Sequence, residues 1–169
     1  KGKIENCVQN HNHQSCFLPF AGQGVHQFQE GSRKAITLYE KALQDLPDYT
    51  PALTHLTEMD MAAQNLMAAS NRVAQTIARS PNTPEGHFLM ARVHMASKNV
   101  DLAEACLLKS VEVQPEFGVG YDALANLYAA TKREDQALAK LEELLKKKPG
   151  DVRTLMQQGV LLQRMRQTQ

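Results

Sequence analysis

GVGYDALANLYAATKREDQALAKLEELLKKKPGD, residues 118–151, is one complete period of a pattern that runs through most of the chain. Its landmarks are Tyr121, Leu124, Ala125 and Tyr128 in the first half, then Ala137 and Pro149 in the second. Prolines recur at Pro47, Pro81, Pro115 and Pro149, 34 residues apart. Alanines at Ala35, Ala69, Ala103 and Ala137 keep the same step, 12 residues ahead of each proline. Two residue types in register at one period of this length mark a chain built by stacking copies of one supersecondary unit.

Each period reads helix, short turn, helix, proline. Proline disfavours the helical conformation in the residue before it, so the four prolines are expected to stop the helices that precede them. Ser32, Thr50-Pro51, Thr83-Pro84 and Asp151 supply start signals: a side-chain oxygen at the N-cap, followed in two cases by a proline where its missing N–H costs nothing. The reading predicts helices over 32–46, 50–63, 67–80, 84–97, 101–113, 118–131, 134–147 and 151–166. Residues 1–31, with Gly22, Gly24, Gly31 and Pro19, sustain neither helical nor strand periodicity and are expected to form an irregular cap rich in Cys and His.

The period and its residue types resemble the tetratricopeptide repeat (TPR), whose units carry a bulky residue at position 4, Leu at 7, a small residue at 8, an aromatic at 11, Ala at 20 and Pro at 32. Unit 118–151 fits throughout. Unit 84–117 follows with His87, Met90, Ala91, His94, Ala103 and Pro115. Unit 50–83 keeps Leu53, Leu56 and Ala69, but Thr57 and Asp60 depart from the small and aromatic positions. A half repeat at 32–49 precedes these units and a terminal helix, 152–169, follows with Leu155 and Gly159. The resemblance implies an all-α, right-handed helical-repeat solenoid. Small residues at Ala91, Ala125 and Gly159 suit close helix approach, with larger neighbours packed ridge into groove.

The resemblance also implies a working surface. First helices of TPR units line a concave groove through positions 2, 5, 9 and 12, which here include Glu58, Met61, Glu85, Phe88, Arg92, Met95, Asp122 and Asn126, with Arg153, Met156 and Val160 added by the last helix. Met61, Phe88, Met95 and Met156 form an apolar strip, and methionine adapts its shape to different partners. The alternative is that part of this strip is core. Chaperone-tail receptors of the family place Lys at position 5 and Asn at 9 of the first repeat. Position 5 holds Thr54, Phe88 and Asp122, so a carboxylate clamp of that kind is not expected.

Composition narrows the function further. The formal charge is +1, from 19 basic and 18 acidic residues, so no global field draws the chain to nucleic acid or a membrane surface. No apolar run reaches the roughly 18 residues of a membrane span. Lys146-Lys147-Lys148 ends a predicted helix and complements its dipole. Glu142-Glu143 reads as a solvated helix face, and His87 and His94 as packing side chains rather than a ligand pair. Nothing resembles a nucleophile–base pair or a phosphate loop. The chain is therefore expected not to be an enzyme and to need no cofactor.

The N-terminal segment holds Cys7, His11, His13 and Cys16. Two thiolates and two imidazoles suit tetrahedral zinc, although the spacing matches none of the common zinc-site patterns. A Cys7–Cys16 disulfide would instead staple a segment with little core of its own, and it is the favoured reading; free thiols are the third. Cys106 is expected to be a small packed residue. Asn6-Cys7-Val8, His11-Asn12, Ser15-Cys16, Pro19, Gly24-Val25-His26, Gly31-Ser32-Arg33 and Ala35-Ile36 are similar to an early segment of secreted bacterial proteins that join TPR-like helices to FG-GAP propeller repeats and an ASPIC/UnbV module. That resemblance implies export, hence a periplasmic or extracellular setting, with a cytoplasmic one if Cys7 and Cys16 are reduced. The start Lys1-Gly2-Lys3, without Met or an apolar signal core, is expected of a processed protein or a fragment.

The last helix suggests a second surface. Val152, Leu155, Met156 and Leu162 are expected to face the preceding repeat, leaving Leu161 and Met165 on an open edge. Such an edge suits head-to-tail self-association, since an uncapped repeat end resembles the docking surface of the next repeat. The sequence thus predicts a scaffold that binds a peptide or partner protein in its groove. The alternatives are a self-assembling homo-oligomer and an N-terminal metal-binding module.

Overall fold

The computed structural model describes the backbone of residues 20–167 and the side chains of residues 31–166. The readings on Cys7, His11, His13 and Cys16, disulfide or metal, lie outside the described residues. Among those described, the elements are α1 (Phe20–Asp45), α2 (Thr50–Ala62), α3 (Leu66–Arg79), α4 (Pro84–Ala96), α5 (Val100–Val113), α6 (Gly118–Ala130), α7 (Glu134–Lys147) and α8 (Val152–Gln167). The chain divides after Leu38 into two units, the second of which carries α2 to α8.

Helix α1 starts at Phe20, not at Ser32, which corrects the expected irregular stretch over 20–31. Gly22, Gly24 and Gly31 suggest a break there. Each costs about 1 kcal/mol against alanine in a helix interior, which weakens a helix without forbidding it. Apolar residues at helical steps of three, seven and four continue through Val25, Phe28, Ala35 and Tyr39. Start signals also shift slightly. Tyr49, not Thr50, caps α2, and Thr83 sits at the α4 cap without a side-chain cap bond. Asp151 does cap α8, its carboxylate accepting from the Thr154 N–H at 3.3 Å and from the Thr154 hydroxyl.

The turns repeat with the sequence. Residues preceding three of the prolines have almost one conformation: Ser80 at φ −133° and ψ 76°, Gln114 at −130° and 97°, Lys148 at −131° and 77°. This is the extended state that a following proline imposes. Between the helices of each pair, Gln64, Lys98 and Lys132 take φ of 59°, 61° and 59°, again 34 residues apart. Each is the left-handed residue of a Schellman turn. The Asn65, Asn99 and Arg133 N–H groups donate to the Asp60, His94 and Tyr128 carbonyls at 2.8, 2.9 and 2.8 Å. Glycine is the usual residue here, so its absence hid these turns from the sequence.

Inside each pair, the alanine ladder opens a stripe down the second helix. Ala69, Val73 and Thr76; Ala103, Leu107 and Ser110; and Ala137, Leu141 and Leu144 are all buried. They meet Leu53, Leu56, Leu89, Ala91, Tyr121, Leu124, Ala125 and Tyr128 of the first helices, also buried. A fully buried leucine contributes about 1.5–3 kcal/mol. Thr57, which departs from the small-residue position, is buried too, and its hydroxyl donates to the Leu53 carbonyl at 2.7 Å. Successive pairs approach closely through a glycine: a Cβ on Gly120 would lie 2.8 Å from both Ser110 Oγ and Val111 Cγ1.

The expected orientation of α8 is reversed. Leu161 is only 6% exposed and Met165 packs beside it against the core. Leu155 and Leu162 are 46% and 48% exposed, and Val152 and Met156 also face outward. Thr154 and Leu161 stand where Gly120 and Leu127 stand one repeat earlier, on the side that meets the preceding pair. Leu155, Gly159 and Leu162 stand where Tyr121, Ala125 and Tyr128 meet their own second helix. A Cβ on Gly159 would meet nothing within 4 Å. Leu161 and Met165 are therefore not an open edge.

Candidate interaction surface

The first helices of successive pairs lie side by side, α2 on α4 and α6 on α8. Two polar links tie the face they form. Arg92 Nη1 donates to Glu58 Oε1 at 2.8 Å, one period away, and Arg153 Nε forms an ion pair with Asp122 Oδ2 at 2.9 Å. Glu58, Asn126 and Met156 are exposed, Met95 is partly so, and Met61, Glu85 and Arg92 are half-buried. Phe88 is half core: it packs against the buried cluster and meets the Phe117 ring edge-on at 6.0 Å.

Asp122 is buried, and its Oδ1 has no hydrogen-bond partner among the described residues. Burial pushes its carboxyl above the ordinary aspartate value, with the neighbouring Asp151 charge adding to the rise and Arg153 opposing it. Its role is to hold Arg153, whose guanidinium stays in solvent, rather than to present a carboxylate. The register also brings in residues that the position rule missed. A cavity of about 460 Å³ opens between α6 and α8, lined by Ala125, Ala129, Leu141, Met156, Val160 and Leu161, with Arg153, Gln157 and Arg164 at its polar side. The rule carried over from the family stops at position 12, one residue short of Arg164.

Second helices carry the polar clamps. Tyr121 donates to Glu143 Oε1 at 2.8 Å and accepts from Lys147 Nζ at 2.6 Å, while Tyr128 donates to Glu104 Oε1 at 2.9 Å and Arg133 donates to Glu104 Oε2 at 2.7 Å. Glu143 is thus not a solvated face. Lys140, with help from Lys147 and the Tyr121 hydroxyl, holds its carboxyl down to about 2. Burial, reinforced by Glu104, pushes the Tyr128 hydroxyl up to about 12. His87 and His94 occupy the same two register positions one repeat earlier, where both are half-buried. His87 Nε2 bonds the Pro81 carbonyl at 2.9 Å. Cys106 packs against the core, and burial raises its thiol. Among the described residues, no three His, Cys, Asp or Glu side chains converge as metal ligands, and no helix is long and apolar enough to cross a membrane.

Solved structures with this arrangement of helix pairs are numerous. A crystal structure of MamA superposes with a TM-score of 0.57 at 18% identity, covering 76% of this chain and 75% of that one. The first TPR of Spaghetti (RPAP3), bound to the HSP90 peptide SRMEEVD, gives 0.57 at 14% identity over 69% of this chain and 94% of its own. The Sgt2 TPR domain from Aspergillus fumigatus gives 0.58 at 13% identity over 70% and 80%. The fold is a TPR solenoid. No family model and no curated protein matches the sequence. The TPR register therefore assigns each side chain to a face, while identities this low carry nothing about ligands.

Proposed function

We propose that this chain is a non-catalytic TPR scaffold that binds a protein or peptide along the first-helix face. The observation that carries the reading is the composition of that face, where apolar Met95, Met156 and Val160 stand exposed beside Glu58, Asn126 and Arg153. Exposed apolar groups rimmed by polar ones mark interaction surfaces. The RPAP3 repeat, similar in fold, is seen with a bound peptide, which supports the class of function. A photo-crosslinking side chain placed at Met95 or Asn126, and at Leu102 as an exposed second-helix control, tests it. Adducts with proteins of the native source are expected at the first two positions only; equal labelling at Leu102 would overturn the reading.

A second reading, self-association, is favoured by the open strip Leu155, Gly159 and Leu162 on α8 rather than by the buried Leu161 and Met165. Sedimentation of Leu155→Asp with Leu162→Asp should then show a smaller particle than the parent chain. An identical monomer mass in both removes this reading.

A further inference from the structure

Four residues of α8, Arg153, Met156, Val160 and Arg164, are spaced three, four and four apart and so share one face of the helix. All four line the cavity between α6 and α8. The pattern along that face is cation, apolar, apolar, cation. Met156 and Val160 are 66% and 62% exposed, and the floor beneath them is the buried trio Ala125, Leu141 and Leu161. Among the described residues, no acidic side chain lines the cavity. Asp122 is engaged with Arg153 through Nε, and Arg153 is still 72% exposed at its side chain. Its guanidinium is therefore oriented by a buried partner yet open to a second one, and a guanidinium suits the planar geometry of a carboxylate.

We propose that this cavity is the anchor of the groove and takes one large apolar side chain of an extended acidic segment, with carboxylates on either side of it meeting Arg153 and Arg164. The spacing agrees. Eleven residues of helix separate the two arginines, about 16 Å at 1.5 Å per residue. An extended chain covers that distance in about five residues. The ligand chemistry is then an acidic residue, an apolar residue two or three positions on, and a second acidic residue beyond it. A cavity of about 460 Å³ falls in the range of about 300–1,000 Å³ typical of ligand pockets. Gln157 lines the same cavity. The proposal rests on the groove reading and narrows it to one end and one ligand class.

The test is fluorescence anisotropy with the full chain and three labelled peptides flanked by Gly-Ser: one with an Asp-Gly-Phe-Gly-Asp core, one with alanine in place of phenylalanine, and one with lysine in place of both aspartates. The first is expected to bind at least tenfold more tightly than either of the others. The exposed pair Arg153→Glu with Arg164→Glu should abolish the difference between the acidic and basic peptides while the circular dichroism spectrum stays unchanged. Ala129→Phe, which narrows the cavity, should remove the preference for phenylalanine over alanine. Equal binding of the three peptides overturns the proposal, as does full binding to the double arginine variant. A parent chain that sediments as a dimer and reverts to monomer in Val160→Asp overturns it too, in favour of a second copy as occupant. If crosslinks at Met95 and Asn126 persist while these peptides do not discriminate, the groove reading stands and the anchor alone falls.

Discussion

The repeat 118–151 and the terminal helix α8 present the same two register positions to different surroundings. In the complete repeat these are Tyr121 and Tyr128, buried against α7 and tied to Glu143 and Glu104; in α8 they are Leu155 and Leu162, about half exposed. The opposite side of α8 behaves like its counterpart, since Thr154 and Leu161 are as buried as Gly120 and Leu127. A TPR helix thus has two packing sides, one set by the preceding pair and one by its own partner. Residue type alone does not decide which of them is buried. The same two positions hold Leu53 and Asp60 in the first full repeat, where Asp60 accepts from Arg72 Nε at 3.0 Å instead of offering a ring.

The sharpest way to break this comparison is to truncate each side of α8. Leu161→Ala should cost about 2–5 kcal/mol, as for other core leucines, whereas Leu162→Ala, one residue on, should stay within about 0.5 kcal/mol. Urea unfolding midpoints of the two variants decide it, and equal losses would mean that both sides of α8 are packed. Glycines give the next contrast. Gly120→Ala drives a Cβ into Ser110 and Val111 and should cost about 1–3 kcal/mol, while Gly159→Ala meets open space and should gain up to about 1 kcal/mol from helix propensity, both read by thermal melting.

Smaller effects test the parts that the repeats share. Lys98 sits at a positive φ that costs an L-residue about 1–2 kcal/mol and glycine almost nothing, so Lys98→Gly should raise the melting temperature. A lowered one would show that the Lys98 side chain contributes more than its backbone strain removes. The smallest expected effect is electrostatic. Glu143, with its carboxyl held near 2 against an ordinary 4.5, contributes stability that is present above about pH 4.5 and lost as pH falls toward 2. Its carboxylate is partly in solvent, which limits the size of the effect. Glu143→Gln should flatten that acid limb of the melting curve by lowering the plateau near neutrality toward the acid value.

Much of the fold was legible because proline and alanine at a 34-residue step fix helix ends and the close-approach stripe together. Helix limits for α2 to α8 fall within one residue of those expected. The N-terminal glycines misled, since a glycine-rich segment can still be helical. The left-handed turns at Gln64, Lys98 and Lys132 carried no glycine to announce them. At the candidate site, the position rule named Met156, Val160 and Arg153, which line the cavity between α6 and α8. It missed Arg164 and Gln157, and it took Asp122 for a surface group when burial makes it the support of Arg153.

The amino-acid sequence by itself determined the period, the helix boundaries from α2 onward and the register, because these follow from local backbone preferences that each residue carries with it. Only the tertiary structure decided which apolar stripe of α8 is covered, that Phe88 is half core, and that a cavity opens between two arginines. Those outcomes depend on which helix lies alongside. A helix with apolar residues on two sides has no local reason to prefer either one.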